Sequence, residues 1–187
     1  MLMNPFRRRE DSFALVVGMT GVKMGDRLVQ IGCADGVRLA AIASKVGLSG
    51  RAAAVVADAQ TAAGVEKAAS QAGVLIEVDV APPAKLPMDD ATFDLVIIDD
   101  GAGLFTEMPP DQRAATVREA ARVLRSGGRI MVIGATARAR LGALLSRAPA
   151  TISADPTAAL QADGFKTVRV LAERDGLIFY EGLKPRR

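Results

Sequence analysis

Short apolar runs alternate with longer amphipathic segments along most of this chain. The apolar runs have the length and the branched aliphatic residues of buried strands. They predict strands at 27–31, 52–57, 74–80, 93–98 and 129–133. The amphipathic segments carry apolar residues at helical spacing and predict helices at 37–46, 59–72 and 109–124. Alternation of this kind indicates a parallel sheet with helices on both faces.

The C-terminal part of the chain departs from this alternation. Two apolar runs, at 166–172 and 177–181, are separated by only four residues. A crossover between parallel strands needs about a dozen residues or more, so these two strands must form an antiparallel hairpin. The sheet is therefore predicted to be mostly parallel, with an antiparallel hairpin at its C-terminal end.

The length of 187 residues favours a single domain over residues 1–187. We expect residues 1–20 to form an N-terminal helix or arm, although the arginines before their apolar run faintly resemble a signal peptide. Residues 134–160 give the least regular pattern and are a candidate lid over a site. No apolar stretch has the length needed to cross a bilayer, so no membrane span is expected.

The composition removes several kinds of chemistry. The chain has no histidine and a single cysteine, Cys33, which argues against a zinc site and excludes catalysis by Ser-His-Asp or Cys-His groups. A lone cysteine cannot form an internal disulfide, so the expected location is the cytoplasm. Any acid or base must be a carboxylate, a lysine or Tyr180.

Nucleic acid is not favoured as a partner. The formal net charge is only +3, and the chain has no tryptophan and one tyrosine, so few side chains could stack on bases. The basic residues collect at the two ends and along the helical segments, which is typical of a solvated surface. An RNA-modifying enzyme that uses these ends as electrostatic arms is a third hypothesis beside the two given below.

The first strand ends in a turn of small residues, Gly32, Ala34 and Gly36, and a helix follows directly. Small residues let the backbone approach a ligand closely, and a helix start presents N–H groups and a positive dipole end. In open α/β sheets, ligands bind beyond the carboxyl ends of the strands. The sequence therefore predicts a small-molecule site here, completed at three other strand ends by Asp58, 81–83 and 99–101.

The spacing of the turn narrows the choice of ligand. A nicotinamide dinucleotide fingerprint needs G-x-G-x-x-G, whereas this chain has G-x-A-x-G. The sequence also lacks a phosphate loop of the G-x-x-x-x-G-K-[ST] type. Neither a nicotinamide site nor a P-loop nucleotide site is predicted.

Four segments together resemble a known family. They are VQIGCADG at 29–36, LP at 86–87 ahead of FDLV at 93–96, REAARVLRSGGR at 118–129 and GF at 164–165. In this order they are similar to class I S-adenosylmethionine-dependent methyltransferases, nearest to the subgroup that includes quinone-biosynthesis enzymes. The resemblance covers roughly residues 20–183. It implies an α/β, Rossmann-like three-layer αβα sandwich with a seven-stranded sheet whose last strand is inserted antiparallel.

The resemblance also implies a cofactor, S-adenosyl-L-methionine, with S-adenosyl-L-homocysteine as its product. Cofactor contacts are expected from Gln30, Gly32, Cys33, Ala34, Gly36, Asp58, Ala59, Ala81, Pro82 and Asp99. The turn would hold the amino-acid and ribose parts, and Asp58 would accept hydrogen bonds from the ribose hydroxyls. Ala81 and Pro82 would line the adenine, while Asp99 would border the methyl group and the acceptor. No metal ligand is expected.

Several positions depart from the family pattern. The family usually has an acidic residue where this chain has Gln30, glycine where it has Ala34, and an aspartate where it has Pro82. Counted forward from Gly36 without a gap, the family's acidic ribose-binding residue falls on Val56. It falls on Asp58 only if the preceding loop is two residues longer than in the family. Asp58 could equally be the N-cap of the helix that follows it, and the two roles can coexist.

Two functions are compatible with these residues. The first is transfer of a methyl group from S-adenosylmethionine to a small-molecule acceptor by in-line displacement, for which the protein mainly holds donor and acceptor in line. The candidate catalytic residues are Asp99 and Asp100, with Glu107 as a further candidate base. The alternative is a non-catalytic protein of the methyltransferase fold that acts as a partner or as a subunit of a homo-oligomer.

Overall fold

The computed structural model describes residues 5–136 and 154–186, and it describes the side chains of the first helix from residue 13 onward. Most of the predicted lid at 134–160 therefore lies outside the described residues, and the lid stays a prediction. The described helices are α1 (Pro5–Thr20), α2 (Gly36–Ala43), α3 (Ala59–Ala72), α4 (Pro110–Val123) and α5 (Thr157–Ala162). Of these helices, none is long and apolar enough to span a membrane.

Seven strands of the described chain form one sheet. They are β1 (Arg27–Ile31), β2 (Arg51–Val56), β3 (Glu77–Val80), β4 (Phe93–Asp100), β5 (Leu124–Ala135), β6 (Lys166–Arg174) and β7 (Leu177–Leu183). Their order across the sheet is β3-β2-β1-β4-β5-β7-β6. β7 is antiparallel to both of its neighbours, and all the other pairs are parallel. The predicted mostly parallel seven-stranded sheet with a C-terminal antiparallel hairpin is confirmed.

Alternation of side chains along the strands divides the core between the two faces of the sheet. Leu28 of β1 belongs to a buried cluster with Leu39 of α2 and Val65 of α3. Its neighbour Val29 belongs to a second cluster, which includes Val117 of α4. Because successive residues of a strand face opposite sides, the two clusters lie on opposite faces of the sheet. The predicted Rossmann-like three-layer αβα sandwich is confirmed.

Local signals set both ends of α3. Asp58 caps its N-terminus by accepting a hydrogen bond from the Thr61 N–H, and Gly73 ends it with a φ of 66°. A side-chain acceptor before the helix and a left-handed glycine after it are the usual N- and C-terminal signals. Because both signals are local, the predicted helix at 59–72 has the bounds of α3.

Two predicted elements are three residues shorter at one end in the structure, and the helix predicted at 109–124 is shorter by one residue at each end. The helix predicted at 37–46 ends at Ala43, because the chain tightens there into a turn in which the Lys45 and Val46 N–H groups bond three residues back. The strand predicted at 74–80 begins only at Glu77. The Val74 N–H still bonds to a carbonyl of α3, so the chain becomes extended later than its apolar pattern indicates.

Four strands are longer than predicted: β4, β5, β6 and β7. β5, predicted at 129–133, runs from Leu124 to Ala135. β4 continues through Asp99 and Asp100, which pair with β5, so these residues lie in the strand and not beyond it. β6 runs to Arg174 and β7 begins at Leu177, which leaves a connection of two residues where four were predicted. Asp175 and Gly176 have φ values of 54° and 80°, as a tight two-residue hairpin turn requires.

Candidate functional site

The residues predicted to form a ligand site meet at one edge of the sheet. β2, β1 and β4 are neighbours, so Asp58 after β2, the turn after β1 and Asp99 at the end of β4 lie side by side. Gly32 begins the turn with a φ of 77°, a conformation that favours glycine. Its N–H donates to the Val55 carbonyl at 2.8 Å, which fixes the turn to β2.

The start of α2 differs from the expectation that its N–H groups face a ligand. Asp35 is the N-cap of this helix. Its Oδ1 accepts from the Val37 N–H at 2.9 Å and from the Arg38 N–H at 3.2 Å. Because the protein itself satisfies these two donors, they are not available to a ligand, and that part of the prediction is wrong.

Asp99 is buried and ties the turn to β4. The Arg38 Nη2 lies 2.6 Å and 2.7 Å from its two carboxylate oxygens. The Ala34 N–H donates to Oδ2 at 2.8 Å, and the Gly101 N–H donates to Oδ1 at 3.1 Å. Both oxygens of Asp99 are thus bonded to the protein, and the carboxylate holds the middle of the turn in place.

The Asp99 carboxylate also gives a physical reason for Gln30. The Gln30 side chain is buried, and its Nε2 donates to the Gly32 carbonyl at 2.9 Å and lies 3.4 Å from Asp99 Oδ2. An acidic residue at position 30 could donate to neither oxygen, and its charge would repel that of Asp99. Glutamine therefore suits a site in which β4 supplies the carboxylate.

Asp100 shapes the β4–α4 loop, which we define as residues 101–109. Its carboxylate is buried and accepts from the Phe105 N–H at 2.7 Å, from the Thr106 N–H at 2.9 Å and from the Thr106 hydroxyl at 2.6 Å. The Thr106 hydroxyl oxygen accepts in turn from the Ala154 N–H at 2.7 Å. The two candidate catalytic residues thus organise the turn and the loop in this structure, and their catalytic role stays a prediction.

The β4–α4 loop places Leu104 over the turn. A Cβ built on Gly32 would clash with Leu104 Cδ2 and would lie 3.2 Å from the Asp99 carbonyl oxygen. Leu104 is half-buried and packs against the hydrophobic cluster that contains Phe105. A side chain of the protein therefore fills the space next to Gly32.

An open cleft of about 520 Å³ lies between the turn and the first turns of α3. Its lining includes Cys33, Ala34, Gly36, Asp58, Thr61 and Gly64. α2 and α3 approach each other closely beside the cleft: a Cβ built on Gly36 would lie 3.2 Å from Ala68 Cβ and 3.3 Å from the Gly64 carbonyl oxygen. The small residue at position 36 thus serves helix packing as well as the cleft.

Asp58 presents an exposed carboxylate to this cleft. It accepts from the Thr61 N–H at 2.8 Å and from the Thr61 hydroxyl at 3.0 Å. These hydrogen bonds lower the pKa of Asp58, so the side chain is charged at neutral pH. Val56, the other position that the sequence left open for the ribose contact, is a buried apolar residue of β2. Of the two positions, only Asp58 has a side-chain oxygen that could accept a hydrogen bond from a ribose, and its role there stays a prediction.

The remaining predicted contact residues supply apolar surface. Ala59 is the exposed first residue of α3, Ala81 is half-buried, and Pro82 is exposed. The Ala81 N–H bonds to the Val56 carbonyl at 3.1 Å, which extends the pairing of β3 with β2 by one step. These positions offer no polar side chain to an adenine ring.

Cys33 is a half-buried free cysteine in the turn. Burial raises its pKa to about 12, and the negative charge of Asp99 contributes in the same direction. The thiol is therefore protonated at neutral pH and is a poor nucleophile.

Three residues of this region were missed from the sequence: Asp35, Arg38 and Leu104. Asp35 had a readable signal, since an aspartate directly before a helical pattern is a typical N-cap. Arg38 had a weaker one, a charged residue beside the apolar positions of α2. Leu104 had none, because it lies in a loop without periodicity.

The family model for the methyltransferase domain matches residues 28–128, more than half of the chain. The chain therefore belongs to the methyltransferase domain family, and the resemblance to class I S-adenosylmethionine-dependent methyltransferases is confirmed. Among curated proteins, no sequence matches this chain.

Solved structures with the same fold include several methyltransferases. A methyltransferase from Aquifex aeolicus that depends on S-adenosylmethionine has a TM-score of 0.70 at 16% identity, over 97% of this chain and 99% of that chain. An S-adenosylmethionine-dependent O-methyltransferase from Thermotoga maritima has a TM-score of 0.67 at 18% identity, over 100% of this chain and 68% of that chain. A chain in the complex between the Haloferax volcanii Trm112 methyltransferase activator and a methyltransferase has a TM-score of 0.66 at 16% identity, over 93% and 88%. At these identities the likeness shows the fold.

The cofactor implied by the family is S-adenosylmethionine, and the residues present fit its two ends differently. The open cleft with the charged Asp58 fits a nucleoside. At the turn, the Leu104 side chain lies against Gly32, so an amino-acid end at this position would require that side chain to move. In addition, no buried polar side-chain atom of the described residues lacks a hydrogen-bond partner. Those residues also contain no cluster of side chains that could hold a metal ion.

Proposed function

We propose that this protein transfers a methyl group from S-adenosylmethionine to a small-molecule acceptor. The observation that carries the proposal is the cleft that joins the small-residue turn to the exposed carboxylate of Asp58. A carboxylate accepts hydrogen bonds through two oxygens, which suits the two hydroxyl groups of a ribose. Membership of the methyltransferase family supplies the class of reaction.

Asp58 can serve as helix cap and ribose acceptor at once. Each of its oxygens accepts one hydrogen bond from Thr61. A carboxylate has about four acceptor positions, so each oxygen keeps one for a ligand. Ala59 and Pro82 are exposed beside it and would offer apolar surface to the adenine.

Methyl transfer needs little acid–base chemistry from this chain. When bound, S-adenosylmethionine supplies a methyl group that its sulfonium already activates. The protein then has to orient the acceptor in line with that group. Asp99 and Asp100 would act by holding the turn and the β4–α4 loop, since both carboxylates already accept hydrogen bonds from the protein. Glu107, exposed on that loop, is the candidate base for an acceptor that needs one.

Calorimetric titration with S-adenosylhomocysteine tests the proposal. We expect the wild-type protein to bind, and Asp58→Asn to weaken binding about tenfold through the loss of a charge-assisted hydrogen bond. Asparagine is as good an N-cap as aspartate, so the melting temperature of this variant stays close to that of the wild type. Asp58→Ala, the companion variant, loses the cap as well as the affinity. Absence of binding at millimolar ligand would refute the proposal.

A non-catalytic protein of the same fold is the second candidate. Two observations favour it: Leu104 packs next to Gly32, and the Asp99 carboxylate is bonded internally. Such a protein would act through a partner or as a subunit of a homo-oligomer. Sedimentation of the purified protein, combined with the same titration, separates the candidates. A stable oligomer that binds no S-adenosylhomocysteine supports this one, whereas a monomer that binds it argues against this one.

A further inference from the structure

We infer that Leu104 determines how tightly the cleft binds its ligands: in its present position it admits the nucleoside part of the cofactor, and the amino-acid part enters only when the Leu104 side chain moves away from Gly32. The inference rests on the proposed function, because it concerns the same cleft. Its consequence is that a nucleoside thioether without the amino-acid tail, such as 5′-methylthioadenosine, binds the wild-type protein at least as tightly as S-adenosylhomocysteine does.

The two sides of the turn differ in free space. On the side of β4, a single carbon added to Gly32 would clash with Leu104 Cδ2 and approach the Asp99 carbonyl oxygen to 3.2 Å. An amino-acid tail is larger than one carbon, so it could enter there only if the Leu104 side chain moved. On the side of α3, a Cβ added to Gly64 would meet no atom within 4 Å. The cleft beside α3 is therefore open, whereas Leu104 occupies the space beside Gly32.

The polar groups around Gly32 already form hydrogen bonds with one another. Gln30 Nε2 donates to the Gly32 carbonyl at 2.9 Å. Arg38 and the Ala34 N–H both donate to the Asp99 carboxylate. An amino-acid tail carries an ammonium and a carboxylate, and each needs hydrogen-bond partners when it leaves water. Leu104 provides none, and the neighbouring groups would have to break existing bonds to provide them.

The β4–α4 loop is anchored on either side of the position that blocks the tail. Asp100 precedes Leu104 and accepts from the Phe105 and Thr106 N–H groups at 2.7 Å and 2.9 Å, and Phe105 is buried in the core. Leu104 is only half-buried between these anchors, so its side chain can leave Gly32 while the loop stays attached. A ligand that requires this minor state binds more weakly in proportion to the population of that state.

Calorimetric titration of three proteins with two ligands tests the inference. The proteins are the wild type, Leu104→Ala and Met108→Ala, and the ligands are S-adenosylhomocysteine and 5′-methylthioadenosine. In Leu104→Ala, S-adenosylhomocysteine should bind about tenfold more tightly or better, because the minor state no longer has to be populated. The affinity for 5′-methylthioadenosine should stay at the wild-type value.

Met108→Ala is the matched control. Met108 lies in the same loop, packs against the same hydrophobic cluster as Leu104, and is not among the nearest neighbours of Gly32. This variant loosens the loop without clearing the turn, so both affinities should stay at the wild-type values. Thermal melts establish that each variant is folded, and Leu104→Val replaces Leu104→Ala should the latter not fold.

The outcomes separate this inference from the proposed function. Tighter binding of S-adenosylhomocysteine than of 5′-methylthioadenosine to the wild type would overturn the inference and leave the proposed function standing. An equal gain for both ligands in Leu104→Ala, or the same gain in Met108→Ala, would also overturn the inference alone. Failure of all three proteins to bind either ligand would refute the proposed function and the inference with it.

Discussion

Replacement of Arg38 by methionine would leave a charged carboxylate buried between β4 and the turn. The Arg38 side chain is 10% exposed and that of Asp99 is 1% exposed. The arginine Nη2 lies 2.6 Å and 2.7 Å from the two carboxylate oxygens. Methionine keeps much of the apolar length of arginine while removing its charge and its donors. The substitution therefore tests the ion pair rather than the packing of α2.

The expected loss of stability follows from what Asp99 retains. Breaking a buried ion pair by removal of one partner costs about 3–5 kcal/mol. Asp99 would keep the hydrogen bonds from the Ala34 N–H at 2.8 Å and from the Gly101 N–H at 3.1 Å, which compensate part of the charge. We therefore expect the lower value, a decrease of about 3 kcal/mol in the free energy of unfolding. For a chain of this length, this corresponds to a fall of about 6–12 °C in melting temperature.

Urea denaturation followed by circular dichroism measures this free energy. A double-mutant cycle with Asp99→Asn separates the pair from its members, because Arg38→Met should cost little once position 99 is neutral. We expect a coupling energy of about 2 kcal/mol or more. A loss below about 1 kcal/mol for Arg38→Met, the size of an exposed pair, would refute the reasoning. Additive losses in the cycle would do the same.

Other substitutions test further parts of the structure. Gly32→Ala should lose about 1–3 kcal/mol of unfolding free energy, because position 32 has a positive φ and the new Cβ would clash with Leu104. Gly64→Ala in α3 should gain about 1 kcal/mol of unfolding free energy, because its Cβ meets no atom within 4 Å. Urea denaturation of both variants checks the opposite signs. Cys33 should react slowly with a thiol reagent in the folded protein and rapidly in urea, since burial raises its pKa to about 12; equal rates would contradict the assigned burial. Glu119→Gln should flatten the loss of stability in acid. Hydrogen bonds from Arg122 lower the pKa of Glu119, so the contribution of Glu119 to stability is present above its ordinary pKa of 4.5. This contribution disappears as the pH falls through the lower pKa of the folded protein. If the urea midpoints of the wild type and Glu119→Gln change in parallel over this pH range, the contact contributes nothing.

The elements that could be predicted with their bounds are those whose signals lie close together in the chain. α3 is one, because the Asp58 cap and Gly73 mark its two ends. β1 is another, a short apolar run that ends at Gly32. The start of β3 and the end of β4 could not be predicted in this way. Both depend on neighbouring elements, β3 on the C-cap of α3 and β4 on its pairing with β5.

The candidate site also has a part that could be predicted from the sequence and a part that could not. The turn, Asp58 and Asp99 could be brought together from the sequence, because parallel strands place their carboxyl ends at one edge of the sheet. Their hydrogen-bond partners could not. Asp99 has an acidic side chain at a strand end, as a catalytic carboxylate would have, and only the structure shows that it pairs with Arg38, 61 positions away.

The sequence by itself determined the layers of this protein, the position of the candidate site at the carboxyl edge of the sheet and the family to which the chain belongs. Apolar periodicity, small turn residues and helix caps act over a few neighbouring residues, so they can be recognised in the sequence. Only the tertiary structure decided that Arg38 neutralises Asp99 and that Leu104 packs next to Gly32. Such contacts depend on how a loop without periodicity comes to rest on a turn that is distant in the chain, and no local pattern encodes that distance.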